Sequence, residues 1–140
     1  MSATPSSREP TSAGDPAAAE LASLRFPKTM RLLRPAEFKR VYARRRSASD
    51  GVLRVQACEN DLGHGRLGLA VSRRAGNAVV RNRWKRLLRE AFRHDPRLRQ
   101  ASIDWVVQPN AAAPPMLAEL RESLDRLTRQ LAKRLQGGRR

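Results

Sequence analysis

The chain has 140 residues and a formal net charge of +16, from 29 Lys and Arg against 13 Asp and Glu. That length supports one domain rather than two, and Cys58, the single cysteine, excludes an internal disulfide or a cysteine-built zinc site. No stretch approaches the roughly 20 apolar residues of a membrane span, and the first 24 residues lack the basic leader and apolar block of a signal peptide, so a cytoplasmic protein without a membrane partner is expected.

The charge is uneven. Residues 1–24 hold Arg8 against Glu9, Asp15 and Glu20, a net −2, which leaves +18 on residues 25–140. Self-repulsion on that scale opposes compaction unless a polyanion neutralises it. Arginine outnumbers lysine, and arginine favours bidentate phosphate contacts and stacking on bases. Residues 1–24 are rich in Ser, Ala, Pro and Thr without periodicity and read as a disordered extension. Residues 25–136 read as the domain and 137–140 as a basic tail.

Pro35 sits at the first position of a short helix over about Arg34–Tyr42, in which Phe38, Val41 and Tyr42 share a face. Arg44, Arg45 and Arg46 follow. Val52–Cys58 alternates, with Leu53, Val55 and Ala57 pointing one way and Arg54 and Gln56 the other, the pattern of a strand with one buried face. Cys58 reads as a small buried apolar residue. The turn residues of Asn60–Gly65 lead into a return strand over Arg66–Ser72, so a hairpin is predicted. Arg73–Asn77 is a basic loop containing Gly76, with Asn77 placed to cap a helix that runs from Ala78 to about Arg93 and stops before Pro96. Ser102–Gln108 forms another strand, with Ile103, Trp105 and Val107 on one face. Pro114 and Pro115 start a long helix whose stripe is Leu117, Leu120, Leu124, Leu127, Leu131 and Leu135, closed by Gly137 and Gly138. That stripe fits intramolecular core better than a coiled-coil seam. The order helix, strand, strand, helix, strand, helix predicts a mixed α/β domain of the α+β type, with helices packed on one small sheet.

The informative element is the helix from Ala78. Val80, Trp84, Leu87, Leu88 and Ala91 cover about 100° of its circumference. Arg81, Asn82, Lys85, Arg86, Arg89 and Arg93 fill the opposite side, with Arg83 at its edge and Glu90 as the only acid. Like charges four residues apart destabilise an isolated helix by a few tenths of a kcal/mol each, so a one-signed face reads as a phosphate-binding surface. The loop before it adds Arg73 and Arg74, and a helix N-terminus offers free N–H groups to phosphate. Catalytic groups are missing. His64 and His94 have no evident partner, the acids are scattered singly, and no Ser-His-Asp set, paired carboxylates or metal-spaced histidines appear. Phe38 and Tyr42, flanked by Arg45 and Arg46, suit stacking of single-stranded bases, or equally a place in the core. Trp84 and Trp105 read as core.

The run from Gly68 to Arg93, with Arg81-Asn82-Arg83-Trp84-Lys85-Arg86 at its centre, resembles the signature of the bacterial ribonuclease P protein subunit. The resemblance implies a four-stranded sheet with helices on one side and a left-handed βαβ crossover, as in domain 2 of ribosomal protein S5. Its fourth strand is expected near Ala48. It also implies the protein part of a ribonucleoprotein that removes the 5′ leader of precursor tRNA, with catalysis by the RNA subunit and Mg²⁺ held mainly by that RNA. Carried over by position, Arg73, Arg74, Arg81, Asn82, Arg83, Lys85, Arg86 and Arg89 would face the RNA. Phe38, Tyr42, Arg45, Leu53 and Gln56 would line the leader cleft, Leu53 and Gln56 standing where relatives often carry aromatics. A monomer in a 1:1 ribonucleoprotein, with no metal site of its own, is expected. The alternatives are a structural, ribosome-type RNA-binding protein and a nuclease acting by its own side chains.

Overall fold

The computed structural model describes residues 28–110 and 114–137. The extension expected over 1–24, and the tail beyond 137, lie outside the described residues. The elements are α1 (Pro35–Arg44), β1 (Ser47–Ser49), β2 (Leu53–Glu59), β3 (Arg66–Leu69), α2 (Ala78–Arg93), α3 (Pro96–Gln100), β4 (Ile103–Pro109) and α4 (Leu117–Gly137). No described helix is long and apolar enough to cross a membrane.

The strands form the expected mixed four-stranded sheet, in the order β1-β2-β4-β3. β2 pairs antiparallel with β1 and β4, and β3 pairs parallel with β4. The predicted hairpin of β2 and β3 therefore does not form. β4 lies between them, because Trp105, Val106 and Val107 are all at most 1% exposed. Consecutive strand residues point to opposite faces, so a strand apolar on both faces belongs inside the sheet. The fourth strand is β1, around Ala48.

Both faces of the sheet are covered. On one, Leu53, Val55, Ala57, Leu67, Trp105 and Val107 pack with Trp84, Leu88, Ala91 and Phe92 of α2, Leu98 of α3 and the leucines of α4 from Leu120 to Leu135. This confirms the leucine stripe and both tryptophans as core. The other face carries a smaller cluster of Leu32, Val41, Cys58 and Val106, with Phe38 packed against it. The expectation of helices on one side is thus corrected for α1, which lies on the second face over Cys58 and Val106. Burial there pushes the Cys58 thiol up.

Asn77 caps α2 as expected, its side chain accepting from the Val80 N–H at 3.0 Å. Pro96 does more than stop α2. Asp95 accepts from the Arg97 N–H at 3.0 Å and caps α3, with Pro96 at its first position.

A buried carboxylate fastens α1 to the sheet. Asp104 of β4 is 0% exposed and accepts from Arg66 Nε at 2.8 Å, and from Arg66 Nη2, Arg40 Nη2 and Asn60 Nδ2 at 2.7 Å each. Arg66 also reaches Glu37 of α1 at 2.9 Å. Burial by itself raises the Asp104 carboxyl, but the bonds from Arg66, Asn60 and Arg40, with the Arg66 charge, outweigh it and hold the group below the usual carboxylate range.

Candidate nucleic-acid interface

The loop before α2 is shaped by Ser72 and Gly76. The Ser72 hydroxyl accepts from the Arg74 N–H at 3.3 Å, and Gly76 takes φ +136°, a conformation closed to most L-residues. This turn exposes Arg73 and Arg74. Along α2, Asn82, Arg83 and Arg86 are exposed, while Arg81, Lys85 and Arg89 are half-buried. The reason is Phe92, which is fully buried and widens the apolar arc beyond the sequence reading. Arg81 then lies beside that arc, its Nε donating to the Gly76 carbonyl at 3.2 Å. Lys85 and Arg89 border a small depression that they share with Leu67 and Leu69 at the β3 edge. Glu90 neutralises only the C-terminal end of this face, where it is held by Arg93 and by His94 Nε2 at 2.7 Å.

The second part of the site lies on the α1 face of the sheet. The Phe38 ring rests on Gly68, where a Cβ would come within 2.9 Å of it. Tyr42, one turn on, is 41% exposed, with the ring centroids 6.5 Å apart and the planes tilted by 49°. Phe38 is therefore partly core and Tyr42 presents an open edge. Arg45, also exposed, follows at the left-handed residue that ends α1, φ 57°. Gln56 lies on this face, paired in register with Val106. Leu53 does not. It is 0% exposed and belongs to the core under α2 and α4, because strand alternation sends it opposite to Gln56. The cleft position assigned to it is taken by Arg54, an exposed neighbour paired with Gln108. Sequence reasoning missed both as cleft residues, although the alternation of β2 already placed Arg54 beside Gln56.

The two parts meet. A concavity of about 870 Å³ is lined by Ala70 and Gln108 from the cleft side and by Ser72 and Arg74 from the basic loop.

Most of the described acids are drawn into ion pairs rather than toward each other. Glu59 binds Arg44, Asp50 binds Arg126, and Asp125 binds Arg97 and Arg129. Among the described residues no group of His, Cys, Asp or Glu is placed to hold a metal ion. Neither histidine is without a partner, contrary to the sequence expectation. His94 has Glu90, and His64 Nε2 lies 3.0 Å from the Thr29 carbonyl.

Fold and surface define a small basic α+β domain with a cationic helix on one face of the sheet and Phe38 and the exposed Tyr42 on the other. A protein-family model described as Ribonuclease P matches residues 26–132. The ribonuclease P protein component of Methylococcus capsulatus is 48% identical over 92 residues, covering 63% of this chain and 69% of that one. That of Thioalkalivibrio sulfidiphilus is 39% identical over 109 residues, 76% and 90% of the two chains. The solved RNase P protein of Staphylococcus aureus superposes with a TM-score of 0.62 at 30% identity, covering 73% of this chain and 94% of that one. That of Thermotoga maritima gives 0.63 at 28%, covering 71% and 96%. The chain belongs to the bacterial ribonuclease P protein family.

Proposed function

We propose that this chain is the cytoplasmic protein subunit of the ribonucleoprotein ribonuclease P, monomeric and 1:1 with the catalytic RNA. It assists endonucleolytic hydrolysis that removes the 5′ leader of precursor tRNA. The observation that carries this reading is the concavity between Ala70 and Gln108 of the sheet and the Arg74 loop. It offers one path on which single-stranded RNA stacks and has its phosphates neutralised. Arg73, Arg74, Asn82, Arg83 and Arg86 take the RNA subunit and the region of the cleavage site, with Arg81, Lys85 and Arg89 completing the charge. Phe38, Tyr42, Arg45 and Gln56 hold the leader, on a floor that includes Arg54 and Gln108.

The protein positions and neutralises rather than reacts. Most of its described carboxylates are held by arginines, a donor set that does not suit Mg²⁺, and this reading assigns the ion mainly to the RNA. No observation favours the ribosome-type alternative over this reading.

Tyr42→Ala tests the cleft. In the holoenzyme, precursor tRNA is expected to bind about 1–3 kcal/mol more weakly, the value of one stacked base, and mature tRNA unchanged. Equal losses for both substrates in a binding titration would remove Tyr42 from the leader path.

A further inference from the structure

Several of the described arginines are neutralised by carboxylates, and others have no carboxylate within ion-pair distance. One free group lies far from α2. Arg45 and Arg46, just past α1, and Arg134 of α4 line a depression of about 400 Å³ beside Ser47 of β1. Their neighbours are neutralised: Arg44 by Glu59, Arg126 by Asp50 and Arg129 by Asp125. Among the described residues none of the three has a carboxylate within ion-pair distance. The arrangement is held in place. Arg134 donates to the Ser47 carbonyl, and the left-handed Arg45 turns the chain from α1 into β1. The electrostatics of the α4 C-terminus favour a cation at Arg134, but they do not account for Arg45 and Arg46 converging on it.

We infer that Arg46 and Arg134, with Arg45 shared from the end of the cleft, form a second phosphate-binding site, which takes the backbone of the leader's 5′-distal part after it has crossed the cleft. The inference rests on the proposed function and extends it. β1 is the strand farthest from β3 in the order β1-β2-β4-β3, about 14 Å away at ordinary strand spacing. Ser47 pairs in register with Gln56, so the site continues the cleft floor toward the sheet edge opposite the basic loop. Three unneutralised guanidinium groups repel one another, and a phosphodiester chain removes that repulsion while accepting their forked hydrogen bonds.

The test uses the holoenzyme reconstituted from the full chain and ribonuclease P RNA. Its substrates are two precursor tRNAs, one with a short leader that ends inside the cleft and one with a long leader. The Arg46→Gln, Arg134→Gln double variant is expected to bind the long-leader precursor about tenfold more weakly than the unchanged protein. The salt dependence of that binding is expected to fall by about 1.4 in slope, at about 0.7 per single-strand phosphate contact. The short-leader precursor is expected to bind as before. Arg46→Gln alone, which keeps the Arg134–Ser47 bond, gives the smaller loss, and an unchanged melting midpoint excludes misfolding. Equal loss for both leaders, or weaker binding of the ribonuclease P RNA itself, would move the site from the leader to the RNA subunit and overturn the inference. So would unchanged long-leader binding. If the unchanged protein stimulates no cleavage of either precursor, the proposed function itself falls.

Discussion

Replacing Asp104 with alanine is expected to cost the fold about 3–5 kcal/mol, the penalty for removing one partner of a buried ion pair. Asp104 accepts four hydrogen bonds from Arg66, Arg40 and Asn60. Arg66 has a side chain only 15% exposed and would keep a single partner, Glu37. α1 is tied to the sheet through these same groups, so the cleft wall carrying Phe38 and Tyr42 loosens with the fold. The pH dependence has a definite sign. Because the folded-state pKa of Asp104 is lowered, its contribution is complete above the unfolded carboxylate value of about 4 and is lost as pH falls through the folded value. The lowered pKa values of Glu37, Asp50 and Asp125 act in the same direction. Denaturant titrations at neutral pH and below about pH 4 should therefore show the gap between Asp104→Ala and the unchanged protein narrowing in acid. A gap that stays constant would show that the ionised carboxylate does not hold the network together.

Gly65→Ala is expected to destabilise by about 3 kcal/mol, the upper part of the usual overpacking range. A Cβ at this position would lie 1.9 Å from the Leu98 carbonyl oxygen and 3.2 Å from that of Ala101. Both are backbone atoms, so no side-chain rotation relieves the clash. The loop before β3 and α3 must separate, which breaks the Gly65 N–H bond to the Arg99 carbonyl and disturbs Leu98, a core residue at 0% exposure. Gly51→Ala is the control. Nothing lies within 4 Å of its Cβ position, and a change of at most about 0.5 kcal/mol is expected. Equal unfolding midpoints for the two variants would contradict the close approach of loop and helix.

Local periodicity carried much of this architecture. The 3.6-residue repeat of Val80, Trp84, Leu87, Leu88 and Ala91 located α2, Asn77 marked its start, and the leucines of α4 announced a buried face. Pairing was less legible. The turn-rich segment between Leu53–Glu59 and Arg66–Leu69 reads as a hairpin, and only the apolar run Trp105-Val106-Val107 signals that β4 must separate them. Pro96 reads as a stop because a proline cannot continue a helix, yet beside Asp95 it starts the next one. The Asp104 network had no local signal at all, since Arg66, Asn60 and Arg40 stand 38, 44 and 64 residues away from it. In the cleft, the family resemblance grouped Leu53 with Gln56, whereas the alternation of β2 itself separates them. Where position-by-position transfer and strand geometry disagreed, geometry placed the side chain.

On the proposed function, this chain supplies charge and position to a catalytic RNA rather than reacting groups of its own. Cleavage of precursor tRNA at low Mg²⁺, measured with ribonuclease P RNA, with this protein, and with both together, tests it most directly. Efficient release of the leader is expected only from the mixture of both. Cleavage by the protein without the RNA, or no stimulation when it is added, would contradict it.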